Sequence, residues 1–314
     1  MITVGEEIPG IDMHNLTEVE SGPFRIKLLI FGFLVVASAS LSLLLSSYLW
    51  ILPSIILGIM YAHAVELQHQ CLHNTALRDR KWNRRVGVAL GLPLLVSYSD
   101  YQNSHMKHHK NLGTPEDREF FNYGYEALTN IRTLIPHIFM VRHNRDVAVY
   151  LFQSYFSKLK REASHRITIR IRNEYRLMVL FLISLLAIAI AFDYTIFLKL
   201  WLVPFLIGVP VHALIELPEH IGCNVSVPDV LKNTRTIKAG WFGVWFTDGN
   251  NYHVEHHWLP GVPNHKFPEL HKHVNPDIET LDSSYVAFYR AFLKMLIDNK
   301  FKRNPDNKPN RASV

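Results

Sequence analysis

The chain has 314 residues, of which 48% are hydrophobic and only 19% charged, so it carries less charge than an ordinary soluble domain and is too apolar to be disordered. Its two cysteines exclude a disulfide scaffold and a cysteine-rich zinc module, and they favour a reducing, cytosol-facing compartment. The net charge of +6 suits a membrane surface better than a nucleic acid, because no basic patch with interleaved aromatic residues is present.

The first 23 residues form an acidic stretch without the basic start of a signal peptide, so we expect a cytosolic N-terminal segment followed by a retained anchor. Four apolar stretches follow along the chain, each near the roughly 20 residues that a membrane-spanning helix needs. They pair across very short turns, which favours two membrane hairpins over buried helices of a large soluble protein. The predicted spans are 24–50, 51–68, 177–194 and 197–216.

A further apolar stretch, Val86–Tyr98, is too short to span a bilayer and contains Gly91 and Pro93, which predicts an interfacial or re-entrant helix. Lysine and arginine are abundant in 69–175 and after Leu217 and are absent from both hairpin turns. The positive-inside rule therefore places both termini in the cytosol. We expect an all-α integral membrane protein with four transmembrane helices in two hairpins and an interfacial helix. The predicted parts are an N-terminal segment (1–23), a membrane domain (24–275) and a cytosolic C-terminal helix and tail (276–314).

Histidine is the over-represented residue type, and nine of its 18 copies fall in four short motifs. Positions i and i+3 or i+4 share one face of a helix, so each motif presents its imidazoles in one direction. All four motifs lie at cytosolic ends of predicted spans or in cytosolic segments, and none lies at mid-membrane, where an ionisable group is costly. The motifs are HQCLH (His69, His73), HMKHH (His105, His108, His109), ELPEH (His220) and HVEHH (His253, His256, His257).

Nine imidazoles exceed the four ligands of one zinc ion but provide two metal ions with four or five nitrogens each. Imidazole is a good ligand for iron, and open positions on iron suit oxygen chemistry. A solvated histidine cluster on one helix would explain a single HxxHH motif. It does not explain two such motifs with two further ones on the same side of one membrane, so the sequence predicts a diiron centre.

Four stretches of the chain resemble the membrane fatty acid desaturase/hydroxylase superfamily. They are HQCLHNTA, SHMKHHKNLGTPEDRE, ELPEHIGC followed by NTRT, and NNYHVEHHWLPGVPNHKFPELH, and the resemblance covers 24–275. It implies four transmembrane helices, a cytosolic helical cap and a non-haem diiron centre that uses O₂. It also implies two electrons from a separate donor of the ferredoxin or cytochrome b5 type. The implied iron ligands are His69, His73, His105, His108, His109, His220, His253, His256 and His257.

The chain departs from the animal acyl-CoA enzymes of this superfamily at two places. Stearoyl-CoA desaturases have Asn-x-x-x-His at the fourth motif, and Glu216 stands here at the asparagine position. We expect Glu216 to orient a ligand rather than to bind iron. Three residues separate His69 from His73, where the animal enzymes have four, and this spacing argues against an acyl-CoA substrate.

Carboxylates and amides near the ligands are expected to fix imidazole tautomers, and the alternative for each is an ordinary solvated side chain or a helix cap. The candidates for this role are Glu66, Asp100, Asp117, Glu216, Glu219, Asp248, Asn251 and Glu255. Four other side chains are candidates for substrate contacts: His63, His212, Arg235 and Trp241. The structural alternatives are a hydrogen-bonded helix-end histidine, an arginine ion pair, or an interfacial aromatic belt.

Three classes of function fit these residues. The favoured one is desaturation of a fatty acyl or lipid-like chain, and a hydroxylase, ketolase or oxidative decarboxylase would use the same metal site. A membrane zinc protein is the remote alternative, and it predicts polar residues along a mid-membrane pathway. Desaturation and hydroxylation differ in how two adjacent C–H bonds lie against the metals, so the sequence leaves substrate and regioselectivity open.

Overall fold

The computed structural model describes residues 12–117, 131–159 and 161–297, so much of the predicted N-terminal segment and of the C-terminal tail lies outside the described residues. The described chain is mostly helical, with one pair of short strands. The helices are α1 (Met13–Thr17), α2 (Ser21–Leu44), α3 (Ile51–Leu72), α4 (Arg80–Gly91), α5 (Tyr98–Asn111), α6 (Ile131–Ile138), α7 (Val141–Phe156), α8 (His165–Ala191), α9 (Thr195–Phe197), α10 (Val203–Glu216), α11 (Val230–Asn233), α12 (Trp241–Phe246), α13 (His253–Trp258), α14 (Phe267–Val274) and α15 (Tyr285–Ile297). The strands are β1 (Arg235–Ile237) and β2 (Thr280–Asp282).

Four segments of the described chain are long and apolar enough to cross a bilayer, as predicted: α2, α3, α8 and the continuous helix 195–216. Their ends differ from the predicted ones. The first helix ends at Leu44, the second continues to Leu72, and the third begins at His165. The helices extend into polar sequence because amphipathic turns continue a helix beyond the apolar window that defines a span.

Helix α3 lies at the centre of these four segments and is buried along most of its length. It packs against α2, α4 and α10. Its closest approach to α10 is at Gly58 and Gly208, where an added Cβ on Gly58 would lie 2.6 Å from the Pro204 carbonyl oxygen. Small residues allow membrane helices to approach this closely. Helices α2 and α8 instead expose large apolar side chains such as Phe33 and Ile190, as expected of a surface that faces lipid.

A π-helical turn (Leu198–Leu202) joins α9 to α10. Pro204 has no backbone N–H, so it cannot bond to the Leu200 carbonyl four residues earlier. The Tyr61 hydroxyl donates to that carbonyl at 2.6 Å, and the Ser54 hydroxyl donates to the Lys199 carbonyl at 2.8 Å. Side chains of α3 therefore satisfy backbone groups that an apolar environment would otherwise leave without partners.

The predicted interfacial helix over 86–98 is wrong in its bounds. The helix in this region, α4, begins at Arg80 and ends at Gly91, and α5 begins at Tyr98. An added Cβ on Gly91 would lie 2.0 Å from the Val96 carbonyl oxygen, so the chain reverses tightly there, and Leu94 is buried in the core. Gly91 and the proline that follows it end the helix because neither favours continuation.

The prediction of an all-α chain is also corrected by the two strands, which pair in parallel with Arg235 opposite Thr280. This pairing holds the C-terminal region against the segment that follows α10. Helix α15 then packs through Phe288 and Phe292 against Leu217, in a cluster with residues of α6 and β1. At the other end of the chain, Leu16 of α1 lies in an apolar cluster with α13 and α14. Both described chain ends therefore support the region that carries the histidine motifs.

Candidate metal centre

The four histidine motifs come together at one end of the α3–α10 pair. His69 lies in the last turn of α3 and His73 caps that helix. Helix α5 carries the HMKHH motif and α13 the HVEHH motif, while His220 lies in the turns directly after α10. Two helix C-termini and two short helices thus direct imidazoles to one place.

Five imidazoles form a first donor set. The Nε2 atom of His105 lies 2.7 Å from that of His69, 3.0 Å from that of His73 and 2.9 Å from that of His109. His256 completes the set, with its Nε2 at 2.9 Å from that of His109. The ring nitrogens of these five side chains therefore face one another around His105.

Four imidazoles form a second donor set beside the first. The Nε2 atom of His220 lies 3.3 Å from that of His108 and 3.2 Å from that of His253. His257 lies 3.1 Å from His253, again between Nε2 atoms. The His257 ring also stacks on His109 of the first set, with ring centroids 4.1 Å apart, so the two sets adjoin.

Nε2 atoms this close to one another are what ligands of one shared cation would show. Two neutral imidazoles whose Nε2 lone pairs face each other repel, whereas ligands of one metal at about 2.0–2.1 Å have nitrogens about 2.9–3.4 Å apart. Most of the observed separations lie in that range. Eight of the nine side chains are at most 8% exposed, and His73 is half-buried. The donor sets therefore fit two metal ions, the first with five nitrogens and the second with four.

Burial also keeps these rings in the neutral form that binds metal. Desolvation, together with the neighbouring imidazoles, holds the pKa values of seven donor-set histidines outside the apolar segments well below the ordinary 6.5. These side chains are His73, His105, His109, His220, His253, His256 and His257.

Three side-chain or backbone groups fix the tautomer of individual rings through Nδ1. His69 Nδ1 donates to Asn250 Oδ1 at 2.9 Å, and His108 Nδ1 donates to Asp117 Oδ1 at 2.8 Å. His220 Nδ1 donates to the backbone carbonyl of Asn233 at 3.0 Å. Each hydrogen bond places the proton on Nδ1 and leaves the Nε2 lone pair directed into a donor set.

A buried polar chain leads from His69 into the space between α3 and α10. Asn250 Nδ2 donates to Glu66 Oε2 at 2.7 Å, and His212 Nδ1 donates to Glu66 Oε1 at 3.0 Å. The other ring nitrogen of His212 lies 3.3 Å from Glu216 Oε1. Glu66 therefore reaches the donor-set histidine His69 through Asn250, and Glu216 contacts His212 and the Tyr101 hydroxyl.

Asp100, Asn251 and Glu255 are predicted to orient imidazoles of the donor sets, but in the structure their side chains bond to other residues. Asp100 pairs with Arg161, with Nε at 3.0 Å from Oδ2, because five residues along a helix rotate it about 140° from His105. The other two hold α13 in place through residues outside the donor sets. Asn251 Nδ2 donates to the Ile237 carbonyl, Glu255 accepts from the Thr236 hydroxyl at 2.6 Å, and Glu255 also pairs with His271. Asp248 pairs with Lys27 of α2.

The candidates for substrate contacts take structural positions. His63 is fully buried, and its Nδ1 donates to the Phe246 carbonyl at 2.7 Å. Arg235 pairs with Asp282 at 2.7 Å and donates to the Ile221 carbonyl, which matches the structural alternative for it. Trp241 is 83% exposed on α12, in keeping with an interfacial position.

Sequence reasoning missed Asn250 and underrated Glu219. Asn250 stands beside the Asn251 candidate, and only its position in space identifies it as the partner of His69. Glu219 Oε2 lies 3.3 Å from His253 Nε2, which is the metal-facing nitrogen. Its position next to His220 in the ELPEH motif was the available signal.

In the described chain, four helices long and apolar enough to cross a membrane support a buried cluster of nine imidazoles, as expected of a histidine-rich membrane protein that could bind metal. Comparison with known sequences narrows this class to one family: the profile described as fatty acid desaturase matches residues 28–289, and the chain belongs to that family. A dihydrorhizobitoxine desaturase from Bradyrhizobium elkanii is 29% identical over 254 residues, which cover 76% of this chain and 70% of that protein. A fatty acid desaturase from Bacillus subtilis (strain 168) is 24% identical over 228 residues, covering 66% of this chain and 63% of that protein. Family and relatives support an oxidoreductase of the desaturase type.

Proposed function

We propose that this protein is a membrane-bound diiron desaturase, which uses O₂ and two electrons to introduce a double bond into a fatty acyl or lipid-like chain. The observation that carries the proposal is the convergence of nine Nε2 atoms into two adjoining donor sets of five and four. A single four-coordinate zinc ion would leave most of these nitrogens without a cation. Two ions account for all of them.

The first donor set would hold one iron and the second donor set the other. When bound, the iron pair supplies oxygen activation for removal of hydrogen from an unactivated C–H bond. The protein's part is to fix the ligands and to exclude water. Asn250, Asp117 and the Asn233 carbonyl hold three rings in the metal-binding tautomer, and the low exposure of the imidazoles keeps bulk water from the centre.

Charge balance agrees with two divalent cations. Nine neutral imidazoles contribute no charge, so two such ions would bring four positive charges into a buried site, at a high desolvation cost. Three carboxylates offset part of it: Asp117 on His108, Glu66 through Asn250, and Glu219 beside His253.

The centre would face the cytosol. Helix α3 ends at Leu72 and α10 ends at Glu216, so both apolar segments finish at the donor sets, as the returning helices of two hairpins would. Basic residues of α4, such as Arg80 and Arg85, follow His73 directly, whereas the turns at the far ends carry no lysine or arginine. The positive-inside rule assigns the basic side to the cytosol, where a ferredoxin or cytochrome b5 type protein would supply the electrons.

Desaturation is proposed over hydroxylation because both relatives bear desaturase names. The test is to express the chain and a His257→Ala variant in a host with a reductase system, and to compare their lipids and small metabolites by mass spectrometry. We expect a product two hydrogens lighter than its substrate, absent with His257→Ala. A product one oxygen atom heavier than its substrate would instead identify the activity as hydroxylation and refute desaturation.

Metal analysis of the purified protein tests the centre independently of the substrate. We expect two irons per chain in the unaltered protein and a loss of iron in His257→Ala, which removes a ligand of the second donor set. Zinc in place of iron, at one ion per chain, would support the membrane zinc protein instead and would overturn the proposed reaction.

A further inference from the structure

The two donor sets are unequal, and a carboxylate lies beside the smaller one. The second donor set has four imidazoles against five in the first. Glu219 Oε2 lies 3.3 Å from His253 Nε2, and the ligand atoms of Glu219, His220 and His253 all lie within 4.8 Å of one another. The carboxylate therefore shares the space into which these imidazoles direct their Nε2 lone pairs.

The nitrogen that Glu219 approaches distinguishes a ligand from an orienting group. Asp117 contacts His108 at Nδ1, the outward side of the ring, where a carboxylate orients an imidazole without reaching the metal. Glu219 contacts His253 at Nε2, the side that faces the donor set. A carboxylate on that side stands beside the metal position itself.

The backbone holds Glu219 in this place. Its N–H donates to the Glu216 carbonyl at 3.0 Å, and its carbonyl accepts from the Arg235 N–H of β1 at 2.8 Å. The next residue, His220, is fixed by its own hydrogen bond to the Asn233 carbonyl. The side chain is only 16% exposed, so it is directed inward by a turn that is anchored on both sides.

We propose that the Glu219 carboxylate is the fifth ligand of the metal in the second donor set, which gives the centre ten protein ligands, five for each ion. This inference rests on the proposed diiron function and extends it. Carboxylate oxygen is a hard, anionic ligand, so the second metal would differ from the first, which has nitrogen ligands only. Glu216 is the competing candidate by sequence, but its side chain lies against His212 and Tyr101.

The experiment compares Glu219→Ala with Glu216→Ala in the full-length protein, purified in detergent after growth on ⁵⁷Fe. Iron content, Mössbauer spectra of the diferrous state and the rate of iron removal by a chelator are measured, with melting temperature as the control for folding. We expect Glu219→Ala to change one of the two quadrupole doublets and to speed the release of the iron at that site. Glu216→Ala should keep both doublets.

The outcomes separate this inference from the proposed function. Unaltered protein without two irons would overturn the diiron function itself. Suppose that the unaltered protein holds two irons. Unchanged doublets and an unchanged rate of iron release in Glu219→Ala would then overturn only the assignment of Glu219 as the tenth ligand. A doublet change confined to Glu216→Ala would do the same.

If Glu219→Ala does not fold, two other variants test the ligand. Glu219→His keeps a donor at this position and should retain both irons, whereas the near-isosteric Glu219→Gln should shift the same doublet. Loss of one iron in Glu219→His, or an unshifted doublet in Glu219→Gln, would count against the carboxylate as ligand.

Discussion

Substitution of Asn250 by alanine tests how the polypeptide prepares a ligand for its metal. The amide accepts from His69 Nδ1 at 2.9 Å and donates to Glu66 Oε2 at 2.7 Å, and it is 3% exposed. Alanine removes both hydrogen bonds. His69 then loses the contact that keeps its proton on Nδ1, and a buried carboxylate oxygen loses its partner.

The magnitude follows from these two bonds. A buried polar group left without its partner costs about 1–3 kcal/mol, and loss of an outer hydrogen bond to a metal ligand weakens metal binding by about 10–100-fold. Because each factor of ten corresponds to about 1.4 kcal/mol, the loss of metal affinity corresponds to about 1.4–2.8 kcal/mol, and the cost of the unpaired group is a separate loss of folding stability. We expect Asn250→Ala to bind iron in the first donor set about 10–100-fold more weakly, with the second donor set little affected.

Asn251→Ala is the matched control, because this neighbour is equally buried and makes two hydrogen bonds that involve no imidazole. Its amide bonds to the Ile237 carbonyl and to the Thr247 hydroxyl. Chelator competition with iron-loaded protein measures affinity, and thermal unfolding measures stability. We expect Asn251→Ala to lower the melting temperature while both irons remain. Equal iron affinity in Asn250→Ala and the unaltered protein would refute the assignment of the His69 tautomer to Asn250.

Three further predictions follow from packing, backbone satisfaction and protonation. Tyr61→Phe leaves the Leu200 carbonyl without its donor and should lower the free energy of unfolding by about 1–3 kcal/mol, whereas Tyr48→Phe, at an 81% exposed position, should leave it unchanged. Gly58→Leu places a side chain against Pro204 and should cost about 1–3 kcal/mol or more by overpacking; normal yield and melting temperature would contradict the close helix crossing. The pKa values of seven donor-set imidazoles lie well below 6.5 in the folded protein. The unfolded chain therefore takes up protons first as the pH falls through 6.5, and each ring then costs up to about 1.4 kcal/mol per pH unit. The melting temperature of metal-free protein should thus fall steadily from pH 7.5 to 5.5, and a flat profile would show that these rings are charged when folded.

Much of the architecture was predictable because it depends on local composition. Apolar stretches long enough to span a bilayer identified all four membrane-type helices. Helix ends were less predictable, since Gly91 ends α4 through a tight reversal onto Val96, which no hydropathy window detects. The strand pair of Arg235 with Thr280 joins segments far apart in the chain and has no local signal.

Proximity in sequence to a ligand was a poor guide to function for the surrounding polar residues. Asp100 and Glu255 lie near ligands along the chain yet point to Arg161 and to Thr236. Asn250, which begins the NNYHVEHH motif but was not among the candidates, bonds directly to His69 of the first donor set. Successive helical residues are rotated by about 100°, so a near neighbour in sequence faces a different part of the fold.

The sequence by itself indicated that nine imidazoles would collect at one end of a membrane-type helical chain, because i, i+3 and i+4 spacings make histidines of one motif neighbours on a helix. Only the tertiary structure decided how they divide between the two donor sets. His108 and His109 are adjacent on α5 but belong to different donor sets, and so do His256 and His257 on α13. The reason is geometric: adjacent residues diverge by about 100° around a helix axis, and the neighbours that meet each of them are set by how α3, α5 and α13 pack together.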